Sequence, residues 1–211
     1  MASKRDSVRF IWAMLRNPAS VGAIAPSSKH LARRMLDGVE LGPTHSILEL
    51  GPGTGPITRA IQQCLPGPDA YLGIEREGSF VTLLQQRFPE LRFVEGYAEH
   101  SRRHLREAGV ADVRAIISGL PFASLPMGVQ SRLIITLDRL LLPGTEFRTF
   151  QYVHAWMLPA AVQFRRRMTR RFGPPRVSRP VLRNLPPAVV LTWGRPAVVP
   201  ATASVGAEAG A

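Results

Sequence analysis

The residues whose types and spacing can do chemistry are concentrated in ILELGPGTGPIT (47–58), which reads Glu49-x-Gly51-x-Gly53-x-Gly55. An apolar run ends in an acid, and three glycines at alternate positions let a ligand approach bare backbone. A dinucleotide fingerprint spaces its glycines as Gly-x-Gly-x-x-Gly, and a phosphate loop ends in Gly-Lys-Ser/Thr. This stretch does neither, and no lysine stands at the helix start to meet a phosphate. A second acid, Glu75, follows Gly55 by 20 residues, the separation at which a carboxylate takes the two hydroxyls of a ribose.

The ligand that satisfies this set contains a nucleoside, lacks a phosphate and carries positive charge toward Glu49. S-adenosylmethionine has a ribose, an ammonium and a sulfonium. A dinucleotide site with a degenerate fingerprint is the alternative.

These residues need strands and helices to hold them. The pattern predicts strands over Ser46–Leu50, Ala70–Glu75, Leu91–Glu95, Val113–Ser118 and Glu146–Val153. Helices are predicted between them, over about 55–64, 79–88, 100–108 and 130–141, with one before them from a Ser27 or Ser28 cap to Leu36 and one after them over 159–171. Repeated strand–helix units imply a parallel, doubly wound sheet. RPVLRNL and AVVLTW then read as a terminal hairpin with at least one antiparallel strand. Residues 197–211 lack periodicity and read as a frayed tail.

Composition bounds the rest. A chain of 211 residues with 45% hydrophobic content suits one domain with a core. The lone Cys64 excludes an intramolecular disulfide and a cysteine zinc site, and no metal site is expected. An excess of 27 Lys+Arg over 15 Asp+Glu gives a net charge of +12, a field that recruits nucleic acid or an anionic membrane. No segment approaches the ~20 apolar residues of a bilayer span. Residues 3–16 read as an amphipathic helix: Val8, Ile11, Met14 and Leu15 share a face, Trp12 stands at its margin, and Arg5, Arg9 and Arg16 lie beside it. Such a helix lies in a membrane interface or packs on the domain. Likewise QFRRRMTRRFGPPR (163–176) is a solvated helix face or a phosphate and anionic-lipid contact, with Arg165–Arg171 at its centre.

ILELGPGTG with Glu75, and LLPGT before the fifth strand, resemble class I S-adenosylmethionine-dependent methyltransferases over about residues 45–155. The resemblance implies a Rossmann-like, doubly wound, mostly parallel sheet of seven strands with an antiparallel terminal strand, preceded by the N-terminal amphipathic helix. It places Glu49 near the methionine end, Gly51, Gly53 and Thr54 against the cofactor, and Glu75 with Arg76 at the ribose. Gly96, Tyr97 and Ala98 take the adenine position, with Tyr97 standing where relatives often have an acid. Ser118 and Gly119, after strand four, close the cofactor site. The expected product is S-adenosylhomocysteine.

Acceptor choice falls to Ser118-Gly119-Leu120-Pro121-Phe122. Adenine-amino methyltransferases carry Asn or Asp and then Pro-Pro-Tyr/Phe there; here the proline and aromatic remain without the amide or acid. A serine hydroxyl with strand-end carbonyls can orient an N–H, and Phe122 can face an ammonium through its ring. With NPASVGAIAPSS, QYVHAW and LRNLPPAVV, the chain over about residues 5–195 resembles bacterial phospholipid N-methyltransferases. These convert phosphatidylethanolamine stepwise to phosphatidylcholine. The competing resemblance is to rRNA adenine dimethyltransferases, which usually add a helical RNA-binding domain; an ornithine-lipid acceptor and a non-catalytic cofactor-binding module stay open.

A primary ammonium, with a pKa near ~10, must lose a proton before it can attack. Ser118, Phe122, Tyr152 and His154 are the candidate catalytic residues, His154, Tyr152 and Glu99 the candidate proton acceptors, with Tyr97 behind them. Phe122, Tyr152 and Trp156 are the expected cation–π partners of methylated amines, with core packing the alternative for Trp156. The expectation is a monomeric cytoplasmic enzyme, peripheral to the inner membrane face, whose partners are an anionic surface and an aminophospholipid rather than nucleic acid. Its parts are a membrane helix over 1–17, a catalytic domain over 18–196 and a tail over 197–211.

Overall fold

A computed structural model describes residues 27–195. The amphipathic helix expected over 3–16 and the tail over 197–211 lie outside the described residues.

The elements follow the alternation read from the sequence. They are α1 (Lys29–Leu36), β1 (Ser46–Leu50), α2 (Thr58–Gln62), β2 (Tyr71–Glu75), α3 (Gly78–Arg87), β3 (Phe93–Glu95) and α4 (Ser101–Glu107). Then come β4 (Val113–Ser118), α5 (Met127–Leu140), β5 (Glu146–Tyr152), α6 (Pro159–Phe172), β6 (Arg176–Val177) and β7 (Ala188–Gly194). One seven-stranded sheet runs in the order β3-β2-β1-β4-β5-β7-β6. Six strands are parallel, and β7 is antiparallel to both of its neighbours.

Strands buried on both faces read as continuous apolar runs. β1 and β2 do so, with every residue buried. Alternate strand residues feed two cores. Leu31, Met35, Ile61 and Leu84 from α1–α3, with Phe88 just past the end of α3, cover one face. Leu105, Leu133, Leu137, Phe164 and Met168 from α4–α6 cover the other.

Helix α1 starts at the Ser28 cap, whose Oγ accepts from the Leu31 amide at 3.2 Å. Its far end is held by Arg148 of β5. That buried guanidinium donates to the carbonyls of Met35 (3.2 Å) and Asp37 (2.6 Å) and pairs with Glu146 at 2.6 Å. Carbonyls that no helical amide reaches thus find a charged donor.

The sequence reading departs from the structure at two places. Helix α2 spans five residues, not the ten expected from Gly55 to Cys64. Gly55 has φ +84°, outside the helical region, and a Cβ there would stand 2.5 Å from the Phe88 ring. The terminal hairpin is also rearranged. β6 is Arg176–Val177, and RPVLRNL contributes only the isolated Val181–Ala188 bridge. Pro180 has no amide to give a ladder, and the Asn184 side chain is spent on loop bonds, accepting from the Ser28 amide (2.9 Å) and donating to the Pro186 carbonyl (2.7 Å).

Candidate functional site

The carboxyl ends of β1, β2 and β4 lie side by side, with Leu50 paired to Ile74 on one flank and to Ser118 on the other. A parallel sheet binds ligands at that edge. The loops after β1 and β4 close on each other there: the Gly119 amide donates to the Leu50 carbonyl at 2.9 Å, and a Cβ on Gly119 would stand 2.7 Å from the Gly51 carbonyl. Gly53 differs from its neighbours. Its φ of +58° suits glycine, and a Cβ built on it would meet nothing within 4 Å. The middle of the loop therefore presents open space beside bare backbone.

Glu75 spans from β2 to this loop. Its Oε2 accepts from the Gly53 amide and its Oε1 from the Glu77 amide, each at 3.0 Å. Burial pushes its pKa up, against backbone N–H groups and Arg76 that hold it down. Each oxygen keeps a lone pair, so the carboxylate can still accept from a pair of vicinal hydroxyls.

Glu49 is fully buried beneath the loop. Its Oε2 accepts from Tyr71 (2.6 Å) and Thr58 (2.7 Å), while Oε1 has no hydrogen-bond partner among the described residues. Burial pushes its pKa up to about 7 despite these two donors, and Glu75 adds to the rise. Sequence reasoning found the acid but missed both donors. The signal was Gly73, which pairs with Glu49 across the strands. Having no side chain there leaves the gap that the Tyr71 phenol fills, since a Cβ on Gly73 would stand 2.6 Å from that oxygen.

At the rim, Tyr97 is exposed and edge-on to His100 at 6.3 Å, beside Gly96 and Ala98. His104 packs behind Gly96; neither of its buried ring nitrogens has a hydrogen-bond partner among the described residues, though Glu107 stands 3.7 Å from Nδ1. It went unnoticed in the sequence because nothing in its helix distinguishes it from a surface histidine. Thr54 binds Arg87 through its carbonyl (2.7 Å), and the Arg76 side chain is exposed. Glu49, Gly51, Gly53, Glu75, Ser118 and Gly119 are thus brought to one edge.

The acceptor residues do not converge in the same way. Ser118 is fully buried at the tip of β4, its Oγ accepting from the Leu120 amide at 3.2 Å. Phe122, expected to face an ammonium, is instead core: its ring stacks on Phe164 at 5.0 Å and meets Phe147 edge-on at 5.5 Å. Tyr152 belongs to the opposite face of the sheet. Its hydroxyl has no partner among the described residues, and burial pushes its pKa up to about 12, which makes it a donor and a poor proton acceptor. His154 sits exposed in the turn after β5, stacked on Tyr152 at 5.7 Å. Glu99 is not a free base, since Arg132 binds it at 2.8 Å. Nor is the Trp156 ring an open platform. The Arg165 guanidinium lies 3.8 Å from its centroid, tied to Gln151 (2.7 Å) and the Trp156 carbonyl (2.9 Å).

The packing of Phe122 leads to a measurable outcome. Phe122→Ala is expected to destabilise the fold by about 3–5 kcal/mol, the cost of emptying an aromatic site in a core. Denaturant unfolding should show the loss. An unchanged midpoint with lost turnover would return the ring to the acceptor site.

No family model matches the chain. It is 28% identical over 146 residues to an ornithine lipid N-methyltransferase of Singulisphaera acidiphila, a match covering 68% of this chain and 76% of that protein. It is 29% identical over 77 residues to the ribosomal RNA small subunit methyltransferase A of Maridesulfovibrio salexigens, covering 36% of this chain and 29% of that one. Among solved structures, a TehB-like SAM-dependent methyltransferase from Corynebacterium glutamicum superposes with a TM-score of 0.54 at 16% identity, over 91% of this chain and 97% of the other. With its 3-2-1-4-5-7-6 sheet and its single reversed strand, this chain has the fold of the class I S-adenosylmethionine-dependent methyltransferases.

Proposed function

We propose that this chain is an S-adenosylmethionine-dependent N-methyltransferase acting on the primary amine of an ornithine-lipid headgroup. The observation that carries the acceptor is the similarity to an ornithine lipid N-methyltransferase, which extends over three quarters of that protein. The sequence-based expectation of phosphatidylethanolamine has the same amine chemistry and less support. Similarity to the ribosomal RNA enzyme covers 29% of that protein, too little to favour RNA.

The site fits this cofactor. Glu75 would accept from the ribose hydroxyls, Gly53 leaves room for close approach, and Glu49 holds a buried, unpartnered oxygen for the cationic amino-acid end. Tyr97, Gly96 and Ala98 would border the adenine. When bound, S-adenosylmethionine supplies an electrophilic methyl group on a sulfonium.

The chain's own residues must position the amine and remove its proton. The carbonyls at the end of β4 can accept its N–H groups, while Ser118, buried at the strand tip, holds the turn through the Leu120 amide. Tyr152, with its pKa raised, can donate a hydrogen bond but not act as base. His154, exposed in the turn after β5, is the residue proposed to pass the proton to solvent. The helix over 3–16 is proposed to hold the enzyme at an anionic membrane surface.

Purified protein incubated with methyl-labelled S-adenosylmethionine and vesicles of ornithine lipid should label the lipid, faster than vesicles of phosphatidylethanolamine and with no label entering 16S rRNA. Label in RNA alone would overturn the acceptor.

A further inference from the structure

The surface that borders the candidate site combines basic charge with exposed apolar side chains. From residue 147 to residue 207 the chain contains ten arginines and no aspartate or glutamate. The most exposed large apolar side chains of this stretch are Leu185, 83% exposed, Met157 78%, Leu182 77% and Leu158 55%. Outside this stretch Met127, Ile135 and Leu142 are also exposed, but among the described residues only here are three large apolar side chains more than three-quarters exposed.

They belong to one place. Met157 and Leu158 follow β5, and Leu182 and Leu185 precede β7. Because β7 is antiparallel to β5, the end of one strand and the start of the other share an edge, where Tyr152 pairs with Ala188 and the Val153 amide donates to the Pro187 carbonyl at 2.8 Å. That edge also carries the carboxyl end of β4, since β4 and β5 are parallel. The start of α1 joins it through the Ser28–Asn184 bond. Basic side chains stand with the apolar ones: Arg183, Lys29 and Arg33 are exposed, and after desolvation, the largest cause, all three depress the pKa of His30.

We infer that Met157, Leu158, Leu182 and Leu185, flanked by Arg183, Lys29 and Arg33, are a docking surface by which the folded domain sits on an anionic bilayer, with the carboxyl edge of its sheet facing the lipid. Apolar side chains framed by arginines, with no acid among them, match an interface in which hydrocarbon lies under anionic phosphates. An exposed apolar group without a partner favours association. The surface is separate from the helix over 3–16 and would set the orientation that the helix alone leaves free. It rests on the reading that the acceptor is lipid-borne.

The test is flotation of the full-length protein with vesicles of phosphatidylglycerol in phosphatidylcholine, beside vesicles of phosphatidylcholine alone. Wild type should float with the anionic vesicles in a salt-sensitive manner. The variant carrying Met157→Ser, Leu158→Ser, Leu182→Ser and Leu185→Ser should bind at least about tenfold less, the loss expected from removing several buried apolar groups, with its melting temperature retained. Arg183→Glu should weaken binding and flatten its salt dependence. Equal flotation of wild type and the quadruple variant would overturn the assignment and point to residues 1–26 as what covers the patch; failure of wild type to float would overturn it too. Flotation needs no methyl transfer, so a protein that docks but labels no ornithine lipid in detergent micelles would sink the acceptor reading and leave the surface standing.

Discussion

Replacing Glu75 with alanine is expected to weaken S-adenosylmethionine binding by about 2–4 kcal/mol, the loss of a charged hydrogen-bond acceptor in a partly desolvated site. That is roughly a 30- to 1000-fold rise in Kd. Two consequences of the substitution add to each other. The ribose hydroxyls lose their acceptor, and the Gly53 amide loses the oxygen that fixes the glycine loop in place. Glu75→Gln separates them, because a carboxamide oxygen can still accept from Gly53 while its NH2 group faces the diol with the wrong polarity. Calorimetry should therefore rank wild type above Glu75→Gln and Glu75→Gln above Glu75→Ala, with melting temperatures close together. Equal affinities in all three would remove Glu75 from the cofactor site.

The second large effect concerns stability and pH. The carboxyl of Glu49 titrates near 7 in the folded protein and at its usual 4.5 when unfolded. The folded state holds the proton more tightly, so this group's contribution is full below about pH 4.5 and is lost as pH rises toward 7. At about 1.4 kcal/mol per unit, the loss amounts to roughly 3 kcal/mol, and it is constant above neutral pH. Asp138, whose pKa Arg171 and Arg195 hold down, and Glu146, bound by Arg148 and Arg176, work in the other direction and lose stability as pH falls. Glu49→Gln isolates the first effect. Its oxygen can still accept from Tyr71 and Thr58, and it carries no proton to lose. Urea unfolding between pH 4.5 and 8 should show wild type losing about 3 kcal/mol more than the variant over that range. Parallel curves would mean that Glu49 stays ionised in the fold throughout.

Much of this arrangement is legible in the sequence, for reasons that differ by residue. The ends of β1 and β4 are legible because the buried apolar runs over 47–48 and 115–117 stop at Glu49 and Ser118. Glu49 and Glu75 announce themselves as acids closing such runs. What stays hidden depends on contacts between distant segments. Phe122 follows a proline in a loop that leads out of the sheet, and only its stack on Phe164, more than forty residues on, makes it core. Glu99 looks free until α5 brings Arg132 against it. β6, two residues long, is too short to carry a period and is defined only by its pairing with Thr192 and Leu191 of β7.

The order of the strands also constrains how the chain can be made. β7 is synthesised last, yet it lies inside the sheet, between β5 and β6. The first described helix depends on later segments too, through Asn184 at one end and Arg148 at the other. On a ribosome, β1 to β4 can pair as they emerge and α1 can meet α2, but the part of α1 that rests on β5 and β7 stays uncovered until nearly the whole domain is out. Contacts so far apart in the chain form slowly. A nascent chain stopped before residue 188 should thus remain sensitive to protease along α1 and β5, and the last few residues of β7 should convert it to a resistant domain in a single step.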